Sequence, residues 1–256
     1  MPPLPMLHEA TLSYLKTRKN LLAFSGGGDS TALFFLLLEQ DIPFDIAHVN
    51  YQTRPQSDDE EAYATSLAST YHKEAFIFTC KLPKKNFEHH ARHTRYRFFE
   101  QIIHEKEYDT LLSAHHLGDK LEWFLMQLCK GAGVVELLGM QEKEEKEGYT
   151  LMRPLLHLNK TSLLHYLSAK GIAYFHDESN DEEAHLRNYF RHHYASKLIE
   201  TYASGIAKSF EYLEEDVKRL LPKTMRQIEE LFIIEKASDE LLNIRSIDKA
   251  LKKLGI

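Results

Sequence analysis

Apolar positions along the first 130 residues fall into two alternating patterns. Short unbroken runs bounded by turn residues stand at NLLAF (20–24), FDIAHVN (44–50), AFIFTC (75–80) and DTLLSAH (109–115), and each reads as a buried strand. Helical spacing covers 30–40, about 58–72, about 86–106 and about 118–130. Strands alternating with helices predict an α/β fold, a parallel sheet with helices on both faces and right-handed crossovers. After Gly133 the pattern loosens. QEKEEKEG (141–148) reads as an exposed loop or hairpin tip, TLMRPLLHL (150–158) as a strand leading into a turn, and 159–170 and 184–200 as helices. From about 201 the spacing in SFEYLEEDVKRLL predicts a wholly helical remainder. Composition places a soft boundary near 198–203, dividing an α/β domain, 1–200, from a small helical C-terminal region, 201–256.

The 256 residues are 43% hydrophobic and 27% charged, enough for a sizeable core in a chain of high surface charge. A formal net charge of −6 speaks against a protein that coats DNA. It leaves RNA open, because Lys and Arg are dense in 81–106 and near 153–197 while the acidic runs lie at 57–61 and 142–147. No apolar stretch approaches the length of a membrane span, and the N-terminal MPPLPMLHEATLSYLKTRKN lacks the basic start and apolar core of a secretory signal. Cys80 and Cys129 are far apart and no CxxC occurs, which argues against a disulfide framework or a four-thiolate metal site. A reducing, cytoplasmic setting fits this usage.

One junction carries chemistry. At LLAFSGGGDSTALFF the first strand gives way to three glycines and then to a helix. Glycine lets the backbone turn sharply and approach a ligand closely. The turn aims successive N–H groups inward as an anion nest, and the helix N-terminus adds its dipole. Ser25 and Ser30 supply hydroxyl donors, and Gly26, Gly27 and Gly28 supply the bend. Asp29 would repel phosphate unless a divalent cation lies between them, which makes it the candidate ligand for Mg2+. There is no GxxxxGK[ST] and no GxGxxG, so neither a Walker A loop nor a dinucleotide fingerprint is present.

The SGGxDS string resembles the PP-loop of N-type ATP pyrophosphatases, which implies a Rossmann-like sheet and ATP as substrate. Further segments resemble those of the tRNA(Ile)-lysidine synthetases. HVNYQTRPQSDDEE (48–61) is similar to that family's HVNHxLRxxSxxDE, with His48, Asn50, Arg54 and Ser57 matching and Tyr51 replacing the second histidine. NFEHHARHTRYRFFEQI (86–102) resembles NxExxARxxRYxFF, with Arg92, Arg95 and Tyr96 in place. AHHLGDKLEWFLMQLCKGAG (114–133) resembles AHHxxDxxET followed by a basic-Gly-x-Gly turn; His115, His116, Asp119 and Glu122 match, whereas Gly118, Lys120 and Trp123 depart. RPLL (153–156) and DESNDEEAHLRNYFR (177–191) complete the set, the latter resembling the family's DxSN and RNxxR strings through Ser179, Asn180, Arg187, Asn188 and Arg191. The resemblance covers roughly 18–195.

What it implies is an ATP-dependent ligase acting on tRNA(Ile), with free L-lysine as the second substrate: ATP adenylates C2 of the wobble cytidine and lysine displaces AMP. It implies ATP contacts from Ser25–Ser30, His48, Asn50 and His115, and tRNA contacts from Arg54, Arg92, Arg187, Asn188 and Arg191. Asp29, Arg95, Asp119 and Glu122 are the candidate catalytic residues. Asp119 and Glu122, three apart on a predicted helix, share one face; they suit lysine binding and activation, and either could instead share the metal. Trp123, where the family usually has Thr, either packs on the sheet or lines the pocket. His89 and His93 have zinc-compatible i, i+4 spacing without an evident third ligand. A tRNA thiolase sharing the loop, and a non-catalytic nucleotide-binding module, are the competing readings. The sequence leaves the oligomeric state open, a homodimer included.

Overall fold

The computed structural model describes residues 5–83, 85–176, 186–220, 225–228 and 231–254. Six strands form the main sheet: β1 (Asn20–Ala23), β2 (Phe44–Asn50), β3 (Ala75–Thr79), β4 (Thr110–Leu112), β5 (Lys143–Lys146) and β6 (Tyr149–Met152). Their order is β3-β2-β1-β4-β6-β5, all parallel except the β5–β6 hairpin. Adjacent residues on each central strand serve opposite faces, as the two-residue strand period requires. Leu22, Ile46, Leu112 and Met152 enter one core cluster, with α2 (Gly28–Glu39), α3 (Gln56–Thr70) and α7 (Lys160–Ala169). Leu21, Ala47, Leu111 and Leu151 enter the other, against Phe99, Ile102 and Ile103 of α4 (Phe87–Lys106). Burial on both faces is why these strands read as unbroken apolar runs.

The acidic-basic run at 141–148 is more than a loop: Lys143–Lys146 is the antiparallel edge strand β5 and only the turn at Glu147 and Gly148 is the tip. Charged side chains on an edge strand oppose pairing with another chain.

A third cluster joins α5 (Leu117–Leu128) and α6 (Val134–Leu137) to the C-terminal part. Leu117, Leu121 and Leu138 pack against Ala195, Phe210 and Val217. Ala195 closes a π-helical turn, Arg191–Ala195, that follows α8 (Leu186–Phe190); Phe210 and Val217 belong to α9 (Ser196–Leu220). α9 runs through the 198–203 stretch, with Tyr202 outside helical geometry (φ −127°, ψ 21°). α9 and α10 (Glu240–Lys253) are the helical C-terminal part expected from the sequence. It is not wholly helical, because the antiparallel pair β7 (Met225–Ile228) and β8 (Leu231–Ile234) lies between them. The contiguous Leu-Phe-Ile-Ile of β8, rich in β-branched residues, favours extended backbone over helix.

The strand order reverses between β1 and β4. In open parallel sheets the crevice for ligands opens at the carboxyl ends of the strands flanking such a point. β1 ends in the glycine loop and β4 ends in Ser113–His116, so topology alone brings these two segments side by side.

Candidate active site

At the end of β1 the chain turns through Gly26 with φ of +81°, a conformation that L side chains rarely adopt. Ser30 Oγ accepts from Ser25 N–H at 3.2 Å and donates to the Gly27 carbonyl at 3.1 Å, tying the loop across its own mouth. The Gly27 N–H points to Ser25 Oγ at 3.3 Å. A second brace comes from far along the chain: Phe175 N–H donates to the Gly26 carbonyl at 2.9 Å. Gly26→Ala should therefore cost about 1–2 kcal/mol of backbone strain, because the new Cβ itself would meet Phe175 only at an ordinary 3.5 Å. We expect a melting temperature a few degrees lower and weaker ATP binding by calorimetry. A variant with unchanged ATP affinity would remove the loop from the binding site.

The loop forms one wall of a cavity of about 420 Å³. Ser25, Gly27, Gly28, Asp29 and Ser30 line it together with His48, Arg54, Arg92, Arg95, His115 and Asp119. Gly26, Asn50, Glu122, Arg187, Asn188 and Arg191 do not line it. Asn50 is a brace: its amide donates to Asp58 Oδ1 at 3.0 Å and Glu61 Oε2 at 2.8 Å, and its oxygen accepts from Gln52 N–H at 2.8 Å. Arg54 pairs with Glu60 at 2.8 Å. Asn188 is buried in α8. Ser179 and Asn180 lie outside the described residues.

His48 donates from Nδ1 to the Phe24 carbonyl at 3.1 Å, which fixes its tautomer and leaves buried Nε2 as an acceptor without a protein partner. Burial lowers its pKa. Burial also pushes His115 down to about 4, with Arg153, Arg187 and Arg92 adding to the effect and Asp119 opposing it. Because the unfolded chain takes up the proton first, His115 should cost stability as pH falls from about 6.5 towards about 4. His115→Gln should flatten the fall of the urea midpoint across that window; an unchanged slope would mean the ring is not held neutral.

His116 caps α5. Its Nδ1 accepts from Gly118 N–H at 3.0 Å, so Nε2 carries the proton and faces Asp119 Oδ2 at 3.6 Å and Asp29 Oδ2 at 3.8 Å. The Asp119 carboxylate in turn accepts from His116 N–H at 2.9 Å, completing a reciprocal cap. Arg187 reaches Asp119 Oδ1 at 2.5 Å and Glu122 Oε2 at 2.9 Å, while Arg191 reaches Glu122 Oε1 at 2.6 Å. Burial alone would raise the pKa of Asp119, but His116, Arg187 and His115 outweigh it and hold the carboxyl far below the usual range. The two acids and the two arginines expected to contact tRNA are thus one charge-balanced cluster beside the cavity.

For a metal, the donor set is sparse. Among the described residues no group of three or more His, Cys, Asp or Glu is placed to hold an ion, and His89 and His93 instead line a second cavity. Asp29 Oδ1 is buried with no hydrogen-bond partner. A single carboxylate oxygen without a hydrogen-bond partner among the described residues, on a residue that lines the cavity, fits Mg2+ held mainly by nucleotide oxygens. Sequence reasoning missed Lys160, whose Nζ lies 3.9 Å from Asp29 Oδ2, and the Tyr174–His176 segment, which closes the cavity. The only signal for Lys160 was its position just after the α7 N-cap Asn159, where a cation opposes the helix dipole.

A PP-loop domain family model matches residues 6–198. The chain is 45% identical over 251 residues to the tRNA(Ile)-lysidine synthase of Campylobacter jejuni strain RM1221, spanning 98% of this chain and 76% of that one. To the tRNA(Ile)-lysidine synthase of Wolinella succinogenes it is 48% identical over 242 residues, spanning 94% and 74%. The chain belongs to the tRNA(Ile)-lysidine synthase family. Among solved structures, the U34-tRNA thiolase NcsA from Methanococcus maripaludis shares the fold, with a TM-score of 0.64 at 18% identity over 82% of this chain and 75% of that one.

Departures from the lysidine synthase motifs have local reasons. Gly118 is required by the cap, since a Cβ there would come within 2.8 Å of the His116 ring. Lys120 turns away from the cavity and pairs with Glu214 of α9 at 2.6 Å. Tyr51 lines the cavity beside the glycine loop and donates from its hydroxyl to the Ala91 carbonyl at 2.8 Å. Trp123 lies outside that cavity and in the wall of the second one.

Proposed function

We propose that this chain ligates lysine to C2 of the wobble cytidine of tRNA(Ile) carrying a CAU anticodon, in two steps. The C2 oxygen of the base attacks the α-phosphorus of ATP and expels pyrophosphate. The ε-amine of lysine then attacks C2 and expels AMP. The observation that carries this reading is the sharing of one cavity by the phosphate loop and Asp119. The Ser25–Ser30 loop holds the leaving pyrophosphate, and Arg92 and Arg95 from α4 balance charge on the α-phosphate. Asp29 would hold Mg2+, which supplies further neutralisation of phosphate charge when bound.

Asp119 receives the amine. With Arg187 and Arg191 already balancing Asp119 and Glu122, an arriving ammonium gains little net attraction. That environment favours lysine as the neutral, nucleophilic amine, and Asp119 orients its N–H. The same two arginines, Arg187 on α8 and Arg191 at the start of the π-helical turn after it, are proposed to sense the bound tRNA, and a homodimer and a cytoplasmic location are part of this reading.

The test is nucleoside mass spectrometry of tRNA(Ile) incubated with the chain, ATP and lysine, beside ATP–pyrophosphate exchange. Lysidine together with tRNA-dependent exchange supports the proposal. Exchange without lysine incorporation into any tRNA would overturn it.

A further inference from the structure

A second cavity, about 580 Å³, lies between α4, the segment after α6 and the β5–β6 hairpin. It abuts the nucleotide cavity, and Arg92 and Tyr96 line both. Its other walls include Trp123, Tyr149, Arg97 and Arg153. Arg153 is committed to the hairpin, donating to the Gln141 carbonyl at 2.7 Å and to Glu144 at 2.9 Å. Arg92 lies over the Tyr96 ring at 4.8 Å, and among the described residues neither Arg92 nor Arg97 makes an ion pair. Arg92 and Arg97 are therefore available to an anion, whereas Lys146 and Arg153 are paired with Glu144.

Trp123 is 38% exposed, yet its ring is not loose. Indole Nε1–H donates to the Glu136 carbonyl at 3.0 Å. Gly139 lies directly against the ring: a Cβ there would sit 3.1 Å from Nε1 and 3.2 Å from Cζ2. A fixed, part-exposed indole beside two arginines is what a base with its phosphate recognises, the flat face for stacking and the guanidinium groups for the anion. Free lysine fits less well: of the two carboxylates in the wall, Glu144 is already paired with Lys146 and Arg153 and Glu100 accepts from the Tyr149 hydroxyl at 3.2 Å, so an ammonium would meet Arg92 and Arg97.

We propose that this cavity takes an unstacked nucleotide of the tRNA adjacent to the one being modified, its base on Trp123 and its phosphate on Arg92 and Arg97. This rests on the lysidine reading of the neighbouring site. Trp123 is then a positioning residue: it holds the strand so that the next base reaches the ATP cavity past Arg92 and Tyr96.

The indole is the single tryptophan of the chain, so its fluorescence reports this site alone. Anticodon stem-loop RNA should quench it, ATP or lysine alone should not, and an abasic residue next to the wobble position should abolish the quench. Trp123→Ala should weaken RNA binding roughly 10-fold or more, measured by anisotropy of labelled stem-loop, with Trp123→Phe restoring most of it. It should raise the KM for tRNA far more than it lowers kcat. RNA that binds, with lysine incorporated, but leaves the emission unchanged would overturn the subsite while the lysidine reading stands. Absence of both quench and lysine incorporation would overturn both. A quench that survives both abasic changes, made one at a time on the two sides of the wobble base, would also overturn it.

Discussion

Asp119→Asn is expected to lower lysine transfer by about 10²-fold, the range for misplacing a reacting group, while tRNA-dependent ATP–pyrophosphate exchange persists. The substitution keeps the size of the side chain and removes its charge. One amide position would then face either the His116 N–H or the Arg187 guanidinium, donor against donor. The cluster would also gain one net positive charge, which repels an incoming ammonium. Adenylated tRNA should therefore accumulate, a product that mass spectrometry separates from lysidine. Near-normal lysine transfer would move the activating role away from Asp119. The same variant carries a pH signature. Because the folded-state pKa of Asp119 lies far below 3.8, its contribution to stability is intact above about pH 4 and is lost as pH falls through the folded value. Asp119→Asn should flatten that acid limb, in a window below the one assigned to His115.

Glu122→Ala is expected to be the most destabilising single change at the site, by about 3 kcal/mol. Glu122 is 1% exposed and accepts from Arg187 Nε and from Arg191 Nε and Nη2. Truncation leaves Asp119 facing both Arg187 at 2.5 Å and Arg191 at 3.6 Å, one carboxylate of the cluster for two guanidinium groups. The cost stays at the lower end for a broken buried pair because the Arg187 side chain is 40% exposed and can regain water. Removing Arg191 in the same chain should restore part of the loss, since one of the two guanidinium groups that Glu122 held goes with it. Urea unfolding followed by circular dichroism gives the number. A loss below about 1 kcal/mol would mean that the cluster behaves as a surface ion pair.

Much of this was legible in the sequence, for physical reasons. Strands buried on both faces must be apolar throughout, and a nest for phosphate needs glycine where φ is positive, so the β1–loop–α2 unit announces itself. The acid pair was legible because i, i+3 residues share a helix face. Three features were not. Nothing periodic links Arg187 to Asp119 across 68 residues, so its inward direction had no local signature. Asn50 reads the same as a ligand contact or as a brace for the turn after β2, and here its amide is occupied by Asp58 and Glu61. Trp123 follows Glu122 in sequence, but a one-residue step turns a helical side chain by about 100°, from the buried acid cluster to the wall of the second cavity.

Asp119 and Lys120 are consecutive on α5, and Lys120, buried to 7% exposure, grips Glu214 on α9 while lying 4.7 Å from the Phe210 ring centre. Mechanical load applied to α9 beyond its bend at Tyr202 is consequently delivered to the helix turn that holds the acids. Tags, surface tethers or fusion partners joined on that side would act on a lever whose short arm ends at Asp119.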